Sequence, residues 1–165
     1  RGAVIPPIHL APLQPNHRPR LETIVRATGV FAEAEIGAAL ALFDATEDDY
    51  EFVGAFAGGQ LLGFACFGPT PSTGRTYDLY WIAVHPDAQR SGAGAALMNE
   101  VGRRLAERDA RIVIVETSSR PDYTPTRRFY DKRGYRESAR IEDFYTPGDD
   151  RVVLTKRVAV HPPPA

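Results

Sequence analysis

The sequence predicts a mixed α/β (α+β) fold in which helices lie on the faces of one mixed sheet. Three observations carry this expectation. Apolar runs at Glu51–Ala57 and 60–68 are joined by Gly58–Gly59, a hairpin signal because glycine tolerates the positive φ of tight hairpin turns. An extended apolar segment, Thr76–Val84, runs through His85–Pro86–Asp87–Ala88 into a turn with two glycines and then a helix. A β-branched run at 111–115 precedes a helix that opens at Thr124–Pro125 and stops at Gly134.

In chain order, residues 8–13 form a short edge strand among prolines. Leu21, Ile24 and Val25 recur at helical spacing over 20–27, and Ile36, Leu40 and Phe43 do so over 32–43. The hairpin and Thr76–Val84 follow. The next helix, opening at Ala95, puts Leu97, Val101 and Leu105 on its buried side and a Glu100–Arg104 pair on its solvated side. The run 111–115 reads as a strand covered on both faces. Two final strands, 136–144 and 151–158, flank a turn at 145–150 that holds Pro147–Gly148. The order is β-α-α-β-β-β-α-β-α-β-β, which lacks the strict alternation of a doubly wound sheet.

With 165 residues, 43% apolar and 25% charged, the chain suits one globular domain over 8–158, with proline-rich tails at 1–7 and 159–165. A net charge of −1 gives no bulk attraction to nucleic acid or anionic membrane, so neither is expected as a partner. No apolar run approaches bilayer-spanning length. Prolines at 6, 7, 12, 15 and 19 interrupt any signal-peptide core, so a cytoplasmic protein is expected. Cys66 is the single cysteine and sits in an apolar run, which reads as a reduced, buried thiol. No metal site is expected.

Chemistry concentrates at Gln89–Arg90–Ser91–Gly92–Ala93–Gly94. A helix that follows a glycine turn presents unpaired N–H groups and its positive dipole end, which suits a pyrophosphate. A dinucleotide fingerprint would want a small residue where Leu97 stands, and would want successive β-α-β units. A nucleoside-triphosphate loop would need Gly-Lys-Ser/Thr, which is absent.

The Gln89-x-x-Gly92-x-Gly94 turn after Trp81–Ile82–Ala83–Val84 resembles the GNAT superfamily of N-acetyltransferases. So does Phe129–Tyr130–Asp131–Lys132–Arg133–Gly134–Tyr135, which is similar to the family's F-Y-x-x-x-G-Y/F signature. The resemblance implies a mostly antiparallel central sheet splayed around acetyl-coenzyme A, and direct acetyl transfer to an amine. Backbone N–H groups of Arg90, Ser91, Gly92, Ala93, Gly94 and Ala95, after Gln89, would hold the pyrophosphate. The main chain of residues 82–84 (Ile82, Ala83, Val84) would pair with pantetheine like an added strand. A strand N–H would face the thioester oxygen, where negative charge develops. Tyr130 would be the acid that protonates the departing thiolate. Asp78 or Glu116 would be the base, although a water chain serves in many relatives. Where relatives carry an Asn on the pantetheine, this chain has Tyr123, so either Ser119 or Thr126 would make that contact or the contact is lost.

The resemblance puts the acceptor, a small-molecule or peptide amine, near residues 29–43 and 143–150. Glu33, Glu35, Asp143, Asp149 and Asp150 could attract a cation there, and Phe31, Phe144 and Tyr145 could line a pocket. Solvation and ordinary packing explain the same residues more simply. The last hairpin offers an edge for a homodimer. A non-catalytic acyl-CoA-sensing module is the alternative reading, and a structural protein that binds no cofactor is a third.

Overall fold

The computed structural model describes residues 6–45 and 49–158. The expected tails therefore fall outside the described residues, apart from Pro6 and Pro7. The element order is the expected one: β1 (His9–Pro12), α1 (Arg18–Ala27), α2 (Glu33–Asp44), β2 (Glu51–Ala57), β3 (Gln60–Pro69), β4 (Thr76–Val84), α3 (Ala93–Glu107), β5 (Ile112–Ser118), α4 (Thr124–Asp131), β6 (Arg136–Thr146) and β7 (Asp149–Arg157). The strands form a seven-stranded sheet in the order β1-β2-β3-β4-β5-β7-β6. The β1–β2, β2–β3, β5–β7 and β6–β7 pairs are antiparallel, and β4 with β5 is parallel.

The chain divides into two compact units, Arg1–Gly68 with Trp81–Arg104, and Pro69–Tyr80 with Leu105–Ala165. In the first unit, the β2–β3 turn uses Gly58 (φ +57) and Gly59 (φ +80), the conformation that favours glycine there. The core gathers Leu21, Ile24, Val25, Ile36, Leu40, Phe56, Leu61, Phe64 and Ala83. Each large aliphatic or aromatic side chain so buried contributes about 1.5–3 kcal/mol against exposure. Gly63 lies against β4: a Cβ there would stand 2.7 Å from the Ala83 carbonyl oxygen. Leu62 O accepts from His85 N at 2.8 Å, which fixes the exit of β4 from the sheet.

The expected helix at Ala95 begins two residues earlier, at Ala93, because Ser91 Oγ accepts from Ala93 N at 3.2 Å and caps the first turn. Leu97, Val101 and Leu105 are buried as expected. The Glu100–Arg104 pair forms at 2.9 Å but is not solvated, since the two side chains are 14% and 21% exposed. Arg103 adds a second bond to Glu100 at 2.7 Å. Together the two guanidiniums hold the Glu100 carboxyl down at about 2. Cys66 is fully buried, and desolvation pushes its thiol well above the ordinary range, as the sequence led us to expect.

In the second unit, β5 alternates instead of being covered on both faces. Val113, Val115 and Thr117 are buried, while the row of Ile112, Ile114 and Glu116 is more open. The β4–β5 ladder covers Thr76, Tyr77 and Asp78 against Ile112, Val113 and Ile114 and ends there, while β4 runs on to Val84. Helix α4 starts at Thr124, one residue before the expected first helical position, after a 3₁₀ turn at Pro121–Tyr123. Gly134 (φ +88) ends it, and Tyr135 N donates back to Tyr130 O at 3.1 Å. The last hairpin closes tightly on Pro147–Gly148, because Gly148 takes φ +83.

Candidate active site

The residues singled out by sequence fall in both units. The first unit holds residues 82–84 and the turn 89–95. The second holds Asp78, Glu116, Ser119, Thr126 and Tyr130.

At the turn, Ala88 and Ser91 are joined by a backbone bond of 3.1 Å, and Ala96 N donates to Gly92 O at 2.9 Å. Among the described residues, the backbone N–H groups of Arg90, Gly92, Gly94 and Ala95 donate to nothing. Arg90 (φ +71) and Gly92 (φ +91) both take left-handed conformations, which turns successive N–H groups toward one side. Arg90 at that angle is the feature that residue type did not reveal. A Cβ added at Gly92 would meet no atom within 4 Å, so that side of the turn is open. Ala93, by contrast, is 1% exposed, so it supplies packing rather than a reachable side chain. Unpaired donors, a 15-residue helix behind them and an uncovered glycine are the features an anion cradle requires.

In the second unit, Asp78 Oδ2 accepts two hydroxyls, Thr70 Oγ1 at 2.7 Å and Tyr80 OH at 3.3 Å. Asp78 shares a face with Tyr80, as strand alternation requires. Thr70 was not legible, because eight residues of loop and strand separate it from Asp78. Asp78 Oδ1 has no hydrogen-bond partner among the described residues. Glu116 is two residues beyond Ile114, the partner of Asp78, and is ion-paired with Arg151. Its expected core-facing row is the open one, with its side chain 43% exposed.

Tyr130 is 4% exposed, its ring edge-to-face with Phe129 at 5.5 Å and with Tyr135 at 5.3 Å. Desolvation, and then the neighbouring Tyr135, push its phenol well above the usual tyrosine range. A buried neutral phenol is a proton donor, and the Tyr130 hydroxyl has no hydrogen-bond partner among the described residues. Arg127 fixes α4 to the end of β5 by donating to Ser118 O at 2.7 Å and Arg120 O at 3.0 Å. Ser119 Oγ accepts from Asp150 N at 2.7 Å, whereas Thr126 is half-buried with no such bond.

Every acid considered for the acceptor side already has a partner within the chain. Glu33 pairs with Arg26 at 2.6 Å, and Glu35 accepts from Ala32 N at 3.2 Å. Asp143 accepts from Gly148 N at 2.7 Å, Asp149 from the Ser118 hydroxyl, and Asp150 from Arg140 at 2.9 Å. Phe31 packs on Trp81 at 4.9 Å. Phe144 and Tyr145 meet edge to face at 4.9 Å and stay 47% and 45% exposed.

The model of the acetyltransferase (GNAT) family matches residues 19–135, a span that runs through segments of both units. A solved GNAT-family acetyltransferase from Desulfovibrio desulfuricans is 38% identical, with a TM-score of 0.87 over 93% of this chain and 100% of that one. The ribosomal-protein-S18-alanine N-acetyltransferase of Escherichia coli is 18% identical, with a TM-score of 0.78 over 96% of this chain and 99% of its own. YncA of Salmonella typhimurium, solved with its cofactor acetyl-CoA, is 16% identical, with a TM-score of 0.74 over 96% and 98%. No protein of curated function matches. No helix among the described residues is long and apolar enough to cross a membrane. The family match over most of the chain, and a relative sharing more than a third of its residues, lead to one assignment: the chain belongs to the GNAT family of acetyltransferases.

Proposed function

We propose that this acetyltransferase uses acetyl-CoA and passes the acetyl group directly to a primary amine of a small molecule or peptide in the cytoplasm, where a lone reduced thiol such as Cys66 persists. The observation that carries the reading is the row of undonated N–H groups at Arg90, Gly92, Gly94 and Ala95, which fits a diphosphate. The acetyl-CoA-bound Salmonella relative supports the choice of donor. When bound, acetyl-CoA supplies the thioester carbonyl that the amine attacks.

The chain's own residues then have separate tasks. The turn N–H groups hold the diphosphate. Main-chain groups of Ile82 and Val84 align the pantetheine arm, a role supported by their position beyond the end of the β4–β5 ladder. Asp78 takes the proton from the ammonium through its open Oδ1, which must happen because an amine of pKa near ~10 is protonated at neutral pH. Glu116 is the poorer candidate, since Arg151 occupies it. The Tyr130 hydroxyl gives its proton to the departing sulfur. Ser119 or Thr126 contacts the pantetheine, and Thr126 has the freer hydroxyl.

The test is calorimetric titration with acetyl-CoA of the wild type and Gly92→Val. A valine at φ +91 is strained and adds bulk on the open side of the turn. Binding by the wild type and a loss of about tenfold or more in the variant is expected. No heat with the wild type overturns the reading. Binding without turnover of any amine favours a sensing module instead.

A further inference from the structure

The last hairpin ends the second unit on an uncovered strand. Among the described residues β6 pairs with β7 alone, and all eleven of its residues are exposed. Ile141 and Phe144 are each 47% exposed and Tyr145 45%, so three of the four exposed large hydrophobic residues among the described residues lie on this one strand. A long edge with apolar side chains and free main-chain groups is a template for another strand.

We propose that β6 pairs antiparallel with β6 of a second copy of this chain, about a two-fold axis at Ile141. The symmetry limits the choices sharply. A two-fold perpendicular to an antiparallel ladder must set one residue opposite its own copy, because a one-residue offset would put partners on opposite faces. Centred on Ile141, residues 139–143 overlap their copies, and Arg140 faces Glu142 of the other chain twice. Ala139 then faces Asp143, so no like charges meet over residues 139–143. Centring on Arg140 instead sets that arginine against itself. Centring on Glu142 sets two carboxylates together. Of these three registers, the one on Ile141 sets opposite charges together.

The residues are also suited to the role within one chain. Glu142 has no ion pair among the described residues, while Arg140 is held over the strand by Glu137 at 2.8 Å and Asp150 at 2.9 Å. Asp143 (φ +53) marks where β6 leaves regular extension, so residues 139–143 carry the contact. The partner is recognised by charge order along the strand, with Ile141 packing on its own copy at the centre.

Sedimentation of the full chain tests this with two single variants. The wild type is expected at twice the mass of the 18.2 kDa chain at micromolar concentration. Arg140→Glu alone sets glutamate against Glu142, and Glu142→Arg alone sets arginine against Arg140, so each weakens the dimer by about tenfold or more. An equimolar mixture of the two restores opposite charges at both contacts, and the dimer returns. Because Arg140→Glu also removes bonds within its own chain, a separate check is Ile141→Cys. Oxidation is expected to link this variant into a dimer, with buried Cys66 silent, while Ala139→Cys stays unlinked. A wild type that sediments as a monomer overturns the proposal. So does a dimer indifferent to both charge reversals, or a mixture that stays monomeric.

Discussion

Tyr130 and Tyr135 meet edge to face with 5.3 Å between ring centroids, joined also by the Tyr135 N–H on the Tyr130 carbonyl at 3.1 Å. Gly134, at φ +88, makes the reversal that brings them together. The sequence signature of two aromatics around a glycine is therefore one packing unit. It keeps a phenol dry and protonated at the end of α4.

That burial has a consequence at high pH. The Tyr130 and Tyr135 phenols and the Cys66 thiol are all raised by desolvation, Tyr135 to about 12. A group with a raised folded pKa contributes stability that is present below its unfolded pKa and lost as pH rises toward the folded one. Melting temperature is thus expected to hold to about pH 8.5, where a free thiol begins to ionise, and to fall more steeply above about pH 10, where free phenols do. A flat profile to pH 11 would contradict the burial of these groups.

Glu100 works in the opposite direction. Its carboxyl is held at about 2 by Arg103 and Arg104, so its contribution is present above the unfolded value near ~4.3 and lost as pH falls toward the folded one. Glu100→Gln is expected to cost about 1–2 kcal/mol at neutral pH, the solvent-exposed Arg103 contributing least. Denaturant unfolding at pH 7 and pH 3 measures it, and the difference between wild type and variant should shrink at the lower pH.

Gly63→Ala tests the seating of β4. The new Cβ would lie 2.7 Å from Ala83 O and 3.1 Å from Val84 Cα, backbone atoms that have nowhere to rotate. A loss of about 1–3 kcal/mol is expected from unfolding curves, together with weaker acetyl-CoA binding, because residues 82–84 must shift.

The two candidate bases separate by substitution. Asp78→Asn is expected to lower kcat by about 10²-fold or more with little change in the KM for acetyl-CoA. Glu116→Gln, which removes only an ion pair with Arg151, should leave kcat within a few-fold. Steady-state kinetics on both variants decides, and the reverse ranking would move the base to Glu116.

Where sequence reasoning succeeded, local chemistry decided the outcome. Gly58–Gly59, Gly134 and Gly148 each adopt the positive φ that a turn demands, so the element order was legible. Where it missed, the cause was tertiary. Ser91 started α3 early by capping Ala93, and the pair at Glu100 sank because Arg103 and Arg104 converge on it. The turn before α3 was legible from two glycines, yet the left-handed Arg90 was not, since no residue type announces that strain. Asp78 was named from its place in β4, but its hydroxyl partner Thr70 comes from across a loop.

Thiol release from acetyl-CoA over a panel of primary amines, from monoamines to peptides with a free N-terminus, compares wild type with Tyr130→Phe most directly. The ring of phenylalanine keeps the packing on Phe129 and Tyr135, so the fold should be undisturbed. Acceptor-dependent release by the wild type, falling by about 10²-fold or more in kcat in the variant, is the expected result. Equal rates from the two proteins would contradict a proton-donating Tyr130, and no release with any amine would contradict the transfer itself.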